Sequence, residues 1–169
     1  MRYTSPEPLA RRHLVDDFDC GERALDDWLK RHARQAQAAG SSRTFVAASE
    51  GATVAGYYAL AATQIEPSEA TMRLLKGEPQ SRAVPAVLLA RLAVDRRHQG
   101  AGVGRSLLQD AVLRTLQAAE SIGVRAMLIH AKHEKARAWY EQYGFEPSPT
   151  DPLHLMLLMK DLRGFADRV

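Results

Sequence analysis

The middle of the chain contains an apolar run, a glycine-rich turn and a long amphipathic segment in direct succession. Residues 86–95 are almost wholly apolar, which is typical of a strand covered on both faces of a sheet. Apolar residues then recur at helical spacing over residues 101–121, before Gly123, and residues 124–131 predict a second buried strand. A strand, a helix and a second strand in this order predict a parallel pair joined by a crossover.

The flanking segments add antiparallel strands and further helices. Amphipathic spacing predicts a first helix that has Asp19 as its cap and ends near Gly40, and residues 43–49 and 53–61 predict a hairpin. Further helices are predicted over residues 67–75 and 134–142, and a last strand over residues 153–159. We therefore predict an α/β fold, α+β in some schemes, with a mixed, mostly antiparallel central sheet flanked by helices.

Length and composition favour one folded domain. The chain has 169 residues, of which 46% are hydrophobic and 25% charged, so residues 1–169 are expected to form a single domain and not a disordered chain. The one cysteine cannot form an intramolecular disulfide or supply a four-thiolate metal site. The sequence has neither an apolar leader nor eighteen consecutive apolar residues. We expect a cytoplasmic protein that does not span a membrane.

Positive charge is concentrated in the middle of the sequence. The net charge is only +3, but residues 82–137 carry ten lysines and arginines against four acidic residues. A local surplus of this kind attracts phosphate-rich ligands or nucleic acids. It is also what an ordinary solvated face contains, and the charge pattern alone leaves both interpretations open.

The glycine-rich turn over residues 97–105 has the composition of an anion-binding loop. Gly100, Gly102 and Gly104 permit positive φ and a close approach of the backbone to a ligand, and the following helix offers unpaired N–H groups. Arg105 stands where the dinucleotide fingerprint G-x-G-x-x-G has its third glycine, and the turn lacks the lysine of a Walker loop. Two interpretations of the turn stay open. It binds a phosphate or pyrophosphate, or it is only a tight turn between a strand and a helix.

Two motifs in the right order resemble those of the GNAT N-acetyltransferase superfamily. Arg97-x-x-Gly100-x-Gly102 is similar to its acetyl-coenzyme A pyrophosphate loop, whose pattern is Gln/Arg-x-x-Gly-x-Gly/Ala. Downstream, Tyr140-Glu-Gln-Tyr-Gly-Phe145 resembles the family's Tyr-x-x-x-Gly-Phe motif. The order of elements agrees with the GNAT fold over essentially the whole chain. The resemblance implies an acetyl-CoA-dependent N-acetyltransferase with a parallel strand-helix-strand step at the cofactor site.

A narrower resemblance links the chain to GNAT toxins of type II toxin–antitoxin systems. It rests on Phe18-Asp-Cys-Gly, Asp26-Asp-Trp-Leu29, Ser41–Val46, Gly56-Tyr-Tyr-Ala-Leu60 and Arg91-Leu-Ala-Val-Asp95. It implies acetylation of the α-amine of the amino acid on charged tRNA, which blocks translation. It also implies a homodimer and a DNA-binding antitoxin, expected to be of the ribbon-helix-helix type, whose C-terminal segment covers the active site.

The resemblance implies roles for individual residues. A backbone N–H near Val94 would hydrogen-bond the thioester carbonyl, and Tyr140 would protonate the departing coenzyme A sulfur, while Tyr143 is expected to be a packing residue. The expected cofactor-binding residues are Leu92, Ala93, Val94, Arg97, His98, Gln99, Gly100, Ala101, Gly102, Val103, Gly104, Arg105, Lys132 and Ala136.

Some other polar residues are candidates for contact with the acceptor tRNA, and the rest are assigned no role. The candidates for contact with tRNA are Arg31, Arg34, Arg43, Arg82, Arg91, Lys135 and Arg137. No side chain is assigned as a general base, since the α-amine of an aminoacyl ester already has a lowered pKa. His130, His133 and Glu134 lack the H-E-x-x-H arrangement, and no metal is expected.

Two alternatives stay open at this stage. The first is a GNAT enzyme that acetylates a small-molecule amine or a peptide or protein amine. The second is a non-catalytic module that binds coenzyme A or nucleic acid. The first alternative does not need the strong salt dependence expected of an enzyme that binds tRNA phosphates. The second predicts ligand binding with no acetyl transfer to any acceptor.

Overall fold

The computed structural model describes residues 2–79 and 82–168. In chain order the elements are β1 (Glu7–Pro8), α1 (Arg23–Arg31), α2 (Ala33–Ala39), β2 (Arg43–Ala48), β3 (Val54–Ile65), α3 (Met72–Leu75), β4 (Val84–Val94), α4 (Val103–Ala119), β5 (Ala126–His130), α5 (Glu134–Glu141), β6 (Glu146–Pro147), β7 (His154–Leu158) and α6 (Met159–Arg168). The strand order in the sheet is β1-β2-β3-β4-β5-β7-β6. Gln80 and Ser81, in the loop predicted before Pro85, lie outside the described residues.

The chain divides into two compact units, each with its own apolar core. The first unit comprises Met1–Ala61 and Ala90–Ala111, and the second comprises Ala62–Leu89 and Val112–Val169. In the first unit, Phe18, Leu29, Val46, Tyr57 and Ala93 are among the buried residues that pack together. In the second, the cluster includes Ile65, Leu74, Val84, Leu128 and Met156. Each long strand of the pair β3 and β4 contributes residues to both units.

The parallel step predicted around the long helix is confirmed. β4 and β5 pair in parallel, with Ala86 to Leu89 opposite Ala126 to Ile129, and α4 connects the two strands in sequence. The predicted hairpin is also present, since β2 and β3 pair antiparallel from Arg43 opposite Leu60. β7 pairs antiparallel with β5 and with β6, so the sheet is mixed as expected.

The first predicted helix differs from the structure at its start and in its middle. Asp19 does not cap it; its Oδ1 accepts from the N–H of Gly21, and α1 begins after Glu22 without a side-chain cap. At His32, φ is −122° and ψ is −26°, which separates α1 from α2. The predicted end is correct, because Gly40 closes α2 in the left-handed conformation.

Other predicted boundaries were also displaced. The helix expected from residue 67 begins only at Met72, because residues before it form a turn and Thr71 provides the cap. α4 ends at Ala119, before Gly123. The helix α6 was not predicted, and it follows β7 without an intervening loop. No helix within residues 2–79 and 82–168 is long and apolar enough to cross a membrane.

The apolar run predicted a central strand that is buried along its full length, but the structure shows it buried only in part. The first half of β4 contains mostly buried residues, whereas Arg91, Leu92 and Val94 near its carboxyl end are partly exposed. A strand that is covered by protein at one end and partly open at the other leaves backbone groups that a ligand can reach. This open end belongs to the first unit.

Candidate active site

The glycine-rich turn is an open loop between β4 and α4. A short 3-10 helix, Arg96–His98, leaves the strand, and Gly100 and Gly102 follow with φ of +79° and +85°. A Cβ at either glycine would meet nothing within 4 Å, so the backbone conformation and not crowding requires glycine there. Gly104 has no positive φ and belongs to α4. The empty space above the turn is compatible with a ligand.

The first turn of α4 presents backbone donors. Its first intrahelical hydrogen bond joins the N–H of Ser106 to the carbonyl of Gly102 at 3.1 Å, so Val103, Gly104 and Arg105 have no acceptor within the helix. The positive end of the helix dipole lies at the same place. The exposed Arg105 side chain adds a charge. Such an arrangement binds phosphate groups well.

Asp95 fixes the start of the turn, and the sequence analysis did not identify it. Its side chain is 1% exposed and accepts from the backbone N–H groups of Asp19 and Arg97 at 3.0 and 2.9 Å, and from the Arg97 guanidinium at 3.0 and 3.1 Å. Burial raises the pKa of Asp95, but the hydrogen bonds from Arg97 and Asp19 outweigh it and lower the pKa to about 2. The carboxylate therefore joins the N-terminal segment to the turn.

The side chains of residues 97–99 hold the turn in place. Arg97 is committed to Asp95, and Gln99 donates to the carbonyl of Val94 at 3.0 Å. His98 is buried, with its Nδ1 3.0 Å from the Tyr3 hydroxyl and its ring edge-on to the Tyr3 ring. Within this segment, the structure therefore supports ligand binding through backbone groups more than through these three side chains.

Gly56 lets the first turn of α4 pack closely on the sheet of the first unit. A Cβ at Gly56 would lie 2.9 Å from Leu107 Cδ1, 3.0 Å from Val103 Cγ1 and 3.1 Å from the Ala93 carbonyl oxygen. Real Cβ atoms hardly ever approach so closely, so any larger residue would displace the helix or the strand. Gly56 thus helps to set the position of the turn between Ala93 and Val103.

Tyr140 lies in the second unit on α5. His133 caps this helix by accepting from the N–H of Ala136 at 3.1 Å. The Tyr140 ring is buried edge-on against Trp139 and Phe145, with centroid distances of 5.0 and 6.2 Å. No group of the described chain hydrogen-bonds its hydroxyl. Burial raises the pKa of Tyr140 above the ordinary value of a phenol, which is already protonated at neutral pH, so the hydroxyl is present as an O–H donor.

Comparison with known proteins identifies the family. Residues 40–147 match the family model described as the acetyltransferase (GNAT) domain. The chain belongs to the GNAT acetyltransferase family. A Mycobacterium tuberculosis protein described as a tRNA-acetylating toxin is 48% identical to this GNAT protein over 161 residues, which is 95% of each chain.

Solved structures of GNAT toxins have the same fold. AtaT complexed with acetyl-methionyl-tRNAfMet superposes with a TM-score of 0.87 at 27% identity, covering 96% of this chain and 98% of that one. A tyrosine-to-phenylalanine variant of AtaT, bound to the C-terminus of the antitoxin AtaR and to acetyl-CoA, gives a TM-score of 0.79 at 26% identity, covering 95% and 96%. The GNAT fold expected from the sequence is therefore confirmed.

The remaining candidates on α5 of the GNAT protein and in the residues beside it have distinct surroundings. Lys132 and Lys135 are exposed, whereas the Arg137 guanidinium pairs with Glu134 and Glu141 on its own helix. The N–H of Ala136 is occupied by the His133 cap. Tyr143 packs edge-on against Trp139 and Phe165, at 5.3 and 5.4 Å, as expected of a packing residue.

The candidate tRNA contacts differ in how free their side chains are. Arg31, Arg43 and Arg82 are exposed. Arg34 donates to the carbonyls of Ala10 and His13 and so holds the N-terminal segment. Arg91 lies over the ring of Trp28, a partner that the sequence did not reveal because the two residues are far apart along the chain.

The histidines near α5 have structural partners. His130 stacks on His154 with ring centroids 4.0 Å apart, and His133 is the cap of α5. Burial, followed by the charge of His154, lowers the pKa of His130. Within the part of the chain that the structure describes, no group of three or more histidine, cysteine or acidic side chains is arranged to hold a metal ion.

Proposed function

We propose that this protein transfers the acetyl group of acetyl-CoA to the α-amine of the amino acid on charged tRNA, and that it is the toxin of a type II toxin–antitoxin pair. The observation that carries the proposal is the 48% identity, over 95% of both chains, to a protein described as a tRNA-acetylating toxin. The fold shared with AtaT, solved with acetyl-methionyl-tRNAfMet, supports the same acceptor.

Acetyl-CoA fits the glycine-rich turn. The free N–H groups at the start of α4, the absence of any atom within 4 Å of a Cβ at Gly100 or Gly102, and the exposed Arg105 side chain suit the charge of a pyrophosphate. We assign the phosphate contacts to the backbone of His98 to Arg105 and the thioester carbonyl to the N–H near Val94. Leu92, Ala93, Arg97, Lys132 and Ala136 complete the proposed cofactor-binding set.

Tyr140 is assigned as the general acid. The neutral amine attacks the thioester carbonyl, an N–C bond forms, the C–S bond breaks, and the departing thiolate takes the phenolic proton. A proton of the amine passes to solvent, and the phenolate recovers its own proton from solvent. A phenol whose hydroxyl is hydrogen-bonded by no group of the described chain supports this role, because its O–H is available to donate when the thiolate leaves.

Partners and compartment follow from the same proposal. Charged tRNA is a cytoplasmic substrate, so we place the protein there. A DNA-binding antitoxin of the ribbon-helix-helix type and a homodimer complete the proposed assembly, and the AtaT complex with the C-terminus of AtaR supports a C-terminal antitoxin segment as the inhibitor. Growth arrest when the protein is expressed alone, and its relief by the adjacent antitoxin gene, would test this part.

The activity is tested by incubating the protein with labelled acetyl-CoA and a mixture of charged tRNAs. We expect label in the aminoacyl-tRNA fraction. The rate of labelling should fall as salt is added, because salt screens the contacts between the protein and the tRNA phosphates. Transfer to free amines or peptides with equal efficiency would contradict the tRNA acceptor. The Tyr140→Phe variant should lose most of the activity, whereas Tyr143→Phe, in the turn that follows α5, should keep it.

A further inference from the structure

Arg91, Trp28 and Tyr57 form a stack in the first unit. The guanidinium carbon of Arg91 lies 4.2 Å from the Trp28 ring centroid, and Trp28 stacks on Tyr57 at 6.0 Å with an interplanar angle of 11°. Tyr57 is itself fixed, because it is fully buried and its hydroxyl donates to the carbonyl of Leu25 at 2.6 Å. The stack therefore holds the Arg91 guanidinium in one place.

The charge of Arg91 is not neutralised by the described chain. Within residues 2–79 and 82–168, Arg91 has neither an ion pair nor a hydrogen bond, although burial lowers its pKa. Arg125 and Arg137, whose side chains are 30% exposed, pair with Glu78 and Glu134 instead. The five N–H donors of this guanidinium are therefore available to a ligand.

Arg91 lies next to the strand segment at which we expect the acceptor amine to react. It directly precedes Leu92 to Val94, the strand segment to which we assign the thioester, and it shares a strand face with Ala93. A planar guanidinium binds phosphate or carboxylate through paired hydrogen bonds. In an aminoacyl ester the carboxylate is esterified, so the anion nearest to the amine is the phosphodiester between the last two nucleotides.

We propose that Arg91, held on Trp28, binds the last phosphodiester of the acceptor RNA and so positions the aminoacyl end for transfer. This inference rests on the proposed function, since it takes charged tRNA as the acceptor. It assigns the phosphates of coenzyme A to the turn and not to Arg91.

The test measures the binding of a labelled RNA minihelix that ends in CCA. One version has a normal phosphodiester at its last linkage, and the other has an uncharged methylphosphonate there. The wild-type protein should bind the methylphosphonate version about 10-fold more weakly. Arg91→Gln should bind the normal RNA about 10-fold more weakly and no longer distinguish the two versions. An Arg91→Gln variant that still distinguishes them, or binds as tightly as wild type, would overturn the proposal.

Three controls separate this role from a structural one. Arg163→Gln removes an exposed arginine from α6 and should retain the discrimination between the two RNAs. Trp28→Phe keeps an aromatic platform and should retain most of it, whereas Trp28→Leu should lose part of it. The Kd of acetyl-CoA should change by less than about twofold in Arg91→Gln, and an equal loss of acetyl-CoA and RNA binding would contradict the assignment.

The binding experiment does not depend on acetyl transfer. If wild type distinguishes the two RNAs through Arg91 but acetylates no charged tRNA, the proposed function fails and the phosphate site stands. If wild type acetylates charged tRNA and Arg91→Gln still distinguishes the two RNAs, the inference fails and the function stands. The two results are therefore separable.

Discussion

The Asp95 carboxylate and the Arg97 guanidinium form a two-point ion pair at the point where β4 enters the glycine-rich turn. The two contacts measure 3.0 and 3.1 Å, and the same carboxylate also accepts from the backbone of Asp19 and of Arg97. One buried group thus connects the strand, the turn and the N-terminal segment. Its removal should affect both the stability of the protein and the shape of the turn.

Asp95→Asn should destabilise the protein by about 2–4 kcal/mol, because the variant loses the ion pair and places an amide N–H₂ against donors. Acetyl-CoA should also bind more weakly, because the turn loses its anchor. Urea unfolding and calorimetric titration measure the two effects. As a control, Asp16→Asn changes an exposed carboxylate and should alter neither quantity. Wild-type stability in Asp95→Asn would contradict the role given to the carboxylate.

Acid should weaken the wild-type protein through the same group. Asp95 has a pKa of about 2 in the folded protein against an ordinary value of 3.8, so its contribution to stability is fully present above about pH 4 and is lost as the pH falls towards 2. The stability difference between wild type and Asp95→Asn should therefore shrink over this interval. Unfolding midpoints measured from pH 5 to pH 2 give the comparison. A difference that does not change with pH would rule out ionised Asp95 as its source.

Gly56→Ala should destabilise the protein by about 1–3 kcal/mol and weaken acetyl-CoA binding. The added methyl group would press on Val103, Leu107 and the Ala93 carbonyl, and so move the start of α4 relative to the strand. Gly164→Ala is the matched control, since a Cβ there meets nothing within 4 Å and the position is inside α6. That change should be neutral or stabilise by up to about 1 kcal/mol. Equal effects of the two substitutions would refute the packing argument.

The parts of the structure that follow from local pattern were predictable. Apolar periodicity gave the succession of β4, the turn, α4 and β5, and the spacing of Gly100 and Gly102 gave the turn its positive-φ glycines. The helix α6 was missed because no glycine or proline separates it from β7, and the apolar pattern of the strand continues into Met159.

The parts that depend on distant residues were not predictable from the sequence alone. Asp95 acts through Asp19, and Arg91 is held by Trp28, and neither pairing leaves a signal in local spacing. Gly56 looked like an ordinary strand residue until the structure placed Leu107 beside it. The roles assigned to Tyr140 and to the arginines that are candidates for tRNA contact remain predictions.

The central claim is that the product is an N-acetylated aminoacyl-tRNA. The most direct test incubates the protein with acetyl-CoA and a panel of individually charged tRNAs, digests the RNA and measures the mass of the aminoacyl-adenosine released. We expect one acetyl group on the α-amine for at least one tRNA, and much less acetylated product with Tyr140→Phe under the same conditions. Unmodified aminoacyl-adenosine across the whole panel, from a preparation shown to bind acetyl-CoA, would contradict the claim.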